Sequence, residues 1–118
     1  MKRKRIRSGV IVGLTVMLAP LVTQAAIVYT NTSTITQLWA WAQTGSSADG
    51  DAIVLMDTGL TACPKGVWIP ATNNPNKVYS AALVAYTSKK ALKFSVYDNE
   101  FWSGSGTPYC KVYAIFLE

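Results

Sequence analysis

The amino terminus, MKRKRIRSGVIVGLTVMLAPLVTQAA, decides how much chain is left to fold and in which compartment it folds. A basic head (Lys2, Arg3, Lys4, Arg5, Arg7) is followed by an uncharged apolar stretch over residues 9–22 and then by small residues. That order is the pattern of a secretory signal peptide. Thr23 and Ala25 suit the −3 and −1 positions of a signal-peptidase site, which places the cut after Ala25, with a cut after Ala26 nearly as good. The apolar stretch is about 14 residues long and contains Pro20. A bilayer span needs about 20, so no stable membrane anchor is expected. No cysteine stands at the cut, which argues against a lipoprotein. The expectation is a leader over residues 1–25 and a single domain over residues 26–118, secreted or periplasmic in a bacterium.

Removing the leader changes the electrostatic reading. The whole chain has 11 basic and 6 acidic residues and a net charge of +5. Five of the basic residues lie in the head, and no arginine follows Arg7. The remaining lysines and acids balance, so there is no basic stripe to neutralise phosphates and no nucleic-acid partner is expected. Cys63 and Cys110 are the only cysteines, 47 positions apart. In an exported chain an even count reads as a bridge. Closing so long a loop contributes roughly 4 kcal/mol in the chain-entropy model, which matters for a domain with so limited a core.

The rest of the chain alternates between strand and turn signals. Residues 35–43, ITQLWAWAQ, alternate, with Leu38, Ala40 and Ala42 on one face and Trp39 and Trp41 on the other. A turn over residues 45–51 leads to a short apolar strand, AIVLMD, and then through a loop to VWIP. Asn74 and Pro75 suit the cap and first position of a helix. Val78, Tyr79, Ala82, Leu83 and Tyr86 form its apolar face. The other face (Ser80, Ala81, Val84, Thr87, Ser88) is small and uncharged. It is either the back of a short, poorly optimised helix or a second packing surface covered by another copy of the chain. A fourth strand over residues 92–97 turns Leu92, Phe94 and Val96 inward and ends in the turn-favouring DNE. The last strand, YCKVYAIFLE, is apolar on both faces, so it is central in a sheet or meets a partner. The segment IVYTNTSTIT just after the leader is either an additional strand or a polar lead-in. Three strands, one helix and two strands is the element order of an OB-fold, a small five-stranded barrel with its helix between strands three and four.

Chemistry is restricted by what is missing. The chain has no histidine, which removes the common nucleophile–base systems and most zinc sites. Asp98 and Glu100 are the one acid pair suited to glycoside cleavage, roughly 6–7 Å apart if strand geometry continued. Turn residues at a strand end account for them as well, and no enzyme is expected. Asp49 and Asp51 lack the further oxygen ligands of a calcium loop. No metal or cofactor is implied. Aromatics are the richer signal. Trp39, Trp41, Trp68, Trp102, Tyr97 and Tyr109 suit a core, an interface or a sugar surface. Trp102, between an acid cluster and SGSG, is the candidate for the sugar surface.

The stretch VWIPATNNPNKVYSAALVAYTSKKALKFSVYDNEFW resembles the B subunit of subtilase cytotoxin and the related typhoid-toxin B subunit. The shared pattern is Trp68 and Pro70, the helix over residues 77–89, the alternating strand over residues 92–97, and Trp102. ITQLWAWAQ is similar to the family's first long strand, and Cys63 and Cys110 are compatible with its bridge. The resemblance implies an OB-fold that assembles as a ring-shaped homopentamer with helices lining the pore. It also implies binding to cell-surface glycans, often sialylated, and a separate catalytic A subunit. Ser80, Ala81, Val84 and Ser88 would then lie at the oligomer interface. The family's glycan-contacting serine is replaced here by Asn31, with Thr32 and Ser33 adjacent, so Asn31, Thr32, Ser33 and Trp102 are the candidate glycan residues. The alternative is a monomeric periplasmic or secreted interaction domain, an accessory protein or inhibitor.

Overall fold

The computed structural model describes residues 9, 13, 26–42, 45, 50–72 and 75–118. The expected leader, Asp49 and the expected helix cap Asn74 lie outside the described residues. The chain forms a mainly β structure with one helix and one disulfide. Its elements are β1 (Ile27–Tyr29), β2 (Ile35–Ala40), β3 (Ala52–Met56), β4 (Gly66–Ile69), α1 (Asn76–Ser88), β5 (Leu92–Phe101) and β6 (Cys110–Leu117).

One sheet holds all six strands in the order β1-β5-β6-β4-β3-β2. Neighbours are antiparallel except β4 and β6, which run parallel. The expectation of a closed five-stranded barrel is therefore corrected to one six-stranded sheet that does not close, with the helix between the fourth and fifth strands. The extra strand is the segment after Ala26, whose β-branched residues pair Ile27 with Tyr97 and Tyr29 with Ser95. The run continues past β1. Thr30 donates its N–H to the Phe94 carbonyl at 2.8 Å, and Ser33 and Leu92 exchange N–H bonds at 2.9 Å each. One residue later the chain changes partners. Asp57 donates to the Thr34 carbonyl, and β2 pairs with β3 from Ile35 onward. A bulge between Ile35 and Gln37 accommodates the change of direction.

The core lies on one face of the sheet. Val54, Met56, Val67, Ile69, Leu92, Phe94, Val96 and Val112 point into it, with Cys63 and Cys110 fully buried at its edge. α1 closes this core through Ala82 and Ala85, both fully buried. These two small side chains let the helix axis approach the sheet closely. Leu83 and Tyr86, expected inside, are therefore pushed to the flanks and are exposed. Pro75 takes the cap position with helical backbone angles, and its carbonyl accepts the Tyr79 N–H at 2.9 Å. The pairing of β3 with β4 depends on Gly66, where a Cβ would stand 1.9 Å from the Val54 carbonyl oxygen. β6 sits between β5 and β4, which accounts for part of its two-sided apolar pattern.

A smaller core occupies the other face. Ile53, Trp102 and Tyr109 are buried there, with Trp41, Leu55 and Trp68 packed against them. β3 is thus covered on both faces, as its uninterrupted AIVLM composition requires.

Candidate functional site

The four candidate glycan residues do not meet. Trp102 is only 7% exposed. Its indole N–H donates to the Asp51 carboxylate at 3.1 Å, and its ring packs against Trp41 and Tyr109. Gly104 lies flat on that ring, where a Cβ would stand 2.2 Å from it. The loop after β5 therefore folds Trp102 inward, with Gly104 against its ring. Asn31, Thr32 and Ser33 lie at the crossover beside Leu92, at the opposite end of β5. The ten residues of β5 separate the two places, about 30 Å at strand rise.

Around Thr32 the tertiary structure supplies other partners. Ser33 is buried, and its hydroxyl accepts the Thr58 N–H at 2.8 Å, so it serves the crossover. Asn31 and Thr32 are exposed. The Thr32 hydroxyl donates to one Glu118 oxygen at 3.3 Å, and Lys93 pairs with the other at 3.4 Å. The Lys93 ammonium stands over the rings of Tyr29, 5.4 Å from its centroid, and Phe116, at 6.0 Å. Those two rings lie 5.6 Å apart. Tyr29 is 60% exposed. Tyr29, Lys93, Phe116 and Glu118 are absent from the sequence-derived set. The register explains why: Tyr29 opposes Ser95, and Lys93 opposes Phe116, so residues from three strands share one face. Nothing local in the sequence signals that neighbourhood.

The same face carries a second cluster toward the far end of β5. The rings of Tyr97 and Tyr113 meet edge to face at 5.7 Å. Lys111 lies over Tyr97 at 5.7 Å and 3.9 Å from Glu100. Between the clusters sits Ser95, 2% exposed, with a buried hydroxyl that has no hydrogen-bond partner. Such an orphan carries a desolvation penalty of about 1–3 kcal/mol. Ser95→Ala is expected to leave thermal stability unchanged or raise it by up to about 1 kcal/mol, and a clear fall in the melting temperature would show that the hydroxyl has a partner.

Asp98 and Glu100 belong to β5, which continues to Phe101 rather than ending at Tyr97 as the turn residues suggested. Pairing of Phe101 with Cys110 across a bulge extends the strand through DNE. Asp51 uses one carboxylate oxygen for the Ala71 N–H at 2.9 Å and the other for Trp102. Among the described residues, no three His, Cys, Asp or Glu side chains gather as metal ligands, and no helix is long and apolar enough to cross a membrane.

On α1, Ser80, Val84 and Ser88 are exposed and Ala81 is half-buried. The Ser88 hydroxyl donates to the Val84 carbonyl at 2.6 Å, and the Thr87 hydroxyl to Leu83 at 2.9 Å. Both hydroxyls are thus turned back onto the helix, which leaves Leu83, Val84 and Tyr86 as an exposed apolar surface.

The Tyr29–Phe116 cluster combines exposed aromatic carbon with the Lys93 ammonium, the Glu118 carboxylate and the Thr32 hydroxyl. Aromatic faces take the C–H face of a sugar ring, and the polar groups take its hydroxyls. The chain matches no family model, no curated protein and no solved structure.

Proposed function

We propose that this chain is an exported, non-catalytic, glycan-binding subunit that works as a ring-shaped homopentamer, like the toxin B subunits it resembles. Tyr29, Asn31, Thr32, Lys93, Phe116 and Glu118 form its sugar-facing surface. The observation that carries the reading is the Lys93 ammonium held over two exposed rings beside the Glu118 carboxylate and the Thr32 hydroxyl. The sugar is of the cell-surface class, and a separate catalytic A subunit is the partner the ring would carry.

An OB-fold barrel is supported by connectivity. The two ends of the strand order, β1 and β2, belong to one run of chain that crosses at Ser33 from β5 to β3. Taken as one bent strand, they bring the count to five, with the helix after the third. Export is supported by the leader pattern and by the Cys63–Cys110 bridge.

Screening the oxidised, mature protein on a glycan array tests the binding half. Tyr29→Ala and Thr32→Ala are expected to lower the affinity for a responding glycan about tenfold or more, the effect of losing roughly 1.4 kcal/mol. A well-folded protein that binds no glycan sinks this half. Native mass spectrometry tests the ring. The expected mass is that of five mature chains, and Val84→Lys, at a position 55% exposed, should shift it to one. A surface substitution in a monomer changes stability by no more than about 0.5 kcal/mol, so an unchanged mass of one chain for both proteins removes the ring.

A second reading, a monomeric interaction domain, is favoured by Ile27, Tyr29 and Tyr113. They are exposed on one sheet face and suit a protein partner as well as a sugar. The single-chain mass is its signature.

A further inference from the structure

β4 and β6 run side by side for only two register positions, Val67 with Cys110 and Trp68 with Lys111. Pro70 follows β4 directly and has no N–H to extend the ladder. The chain then turns away toward α1, while β6 continues to Leu117. Beside the opened strands lies a half-open cavity of about 290 Å³. Ile69, Pro70 and Val78 are among its apolar walls, and Tyr97 and Tyr113 form an aromatic edge. Among the described residues, Lys111 is the one charged residue in the lining, and no carboxylate lines the cavity.

Size and charge together restrict the occupant. An engineered apolar cavity of about 150 Å³ accepts a benzene ring, so this space has room for a ring and a short arm. Glu100 stands 3.9 Å from the Lys111 ammonium, and both side chains are partly exposed to water. That contact is loose and screened, and an ammonium has three N–H donors to distribute. We propose that the cavity binds a small amphipathic carboxylate. Its ring or short chain lies against Ile69, Pro70 and Val78 and beside the two tyrosines, and its carboxylate meets Lys111. The site uses the second aromatic cluster and does not rest on the glycan reading.

The test titrates 3-phenylpropionate and its neutral counterpart 3-phenylpropan-1-ol into the oxidised, mature protein, followed through the methyl resonances of Val78 and Val112. The acid is expected to bind about tenfold more tightly than the alcohol, as a charge-assisted contact implies. Lys111→Met should bring the two affinities together, and Tyr113→Ala, at an exposed position, should weaken both. Thermal melts establish that each variant is folded. Equal affinities in the unmodified protein overturn the proposal, as does an absence of shifts at millimolar concentrations. Binding that survives Lys111→Met and Tyr113→Ala but is lost in Tyr29→Ala assigns the ligand to the other cluster and overturns it too.

Discussion

Reduction of the Cys63–Cys110 bridge is expected to lower the stability of the domain by about 4 kcal/mol. The bridge closes a loop of 47 positions, and most of its effect is on the unfolded chain, which loses conformations when the loop is closed. Its location adds to this. Both cysteines are fully buried in the main core, and Cys110 begins β6 opposite Val67. The bridge therefore ties the β3–β4 loop to the parallel pair at the place where the sheet has its shortest ladder. A domain of this size has about 5–15 kcal/mol in total, so reduction removes a large share. For a 60–100-residue domain the melting temperature should fall by roughly 15–30 °C. Calorimetry of the oxidised protein, the reduced protein and the Cys63→Ser, Cys110→Ser double variant would measure it. Equal melting temperatures for the oxidised and reduced forms would show that the core alone holds the parallel pair.

Trp102→Ala should have an effect of similar size, about 3–5 kcal/mol for removal of a buried aromatic. The indole fills the second core between Trp41 and Tyr109, and its N–H satisfies Asp51. Truncation leaves a cavity and removes one of the two donors on a buried carboxylate. Trp102→Phe keeps a ring and drops the N–H, and a smaller loss of about 1–3 kcal/mol is expected. Asp51→Ala is expected to cost about 2–3 kcal/mol, because it orphans both the indole and the Ala71 N–H. The two sites share a hydrogen bond, so the double variant should show a coupling of about 0.5–3 kcal/mol. Denaturant unfolding gives all of these. A Trp102→Ala protein with unchanged stability and altered ligand binding would return Trp102 to the surface role its sequence context suggested.

Trp102 shows where local sequence misleads. An aromatic between acids and SGSG reads as an exposed loop residue. In the structure DNE stays in β5, and Gly104 is small enough to lie on the indole. The helix gives a milder case. Its span follows from periodicity, but its buried face is decided by how closely Ala82 and Ala85 let it approach the sheet, which puts Leu83 and Tyr86 outside. By contrast Thr32 joins the Tyr29–Lys93–Phe116 cluster for a reason its own sequence neighbourhood does not contain. Lys93, Phe116 and Glu118 arrive from β5 and the end of the chain.

Local composition by itself determined the positions of β2 to β6 within a few residues, the single helix and the pairing of the two cysteines. Each depends on short-range periodicity, on proline and glycine, or on the arithmetic of two thiols. Only the tertiary structure decided that the segment after Ala26 is a strand, that it crosses at Ser33 between two neighbours, and which aromatics are left on the surface. Those outcomes depend on register. Tyr29 and Lys93 are far apart in the chain and come together only when β1 pairs with β5, a long-range choice set by burying Val28 and Val96 on the core face.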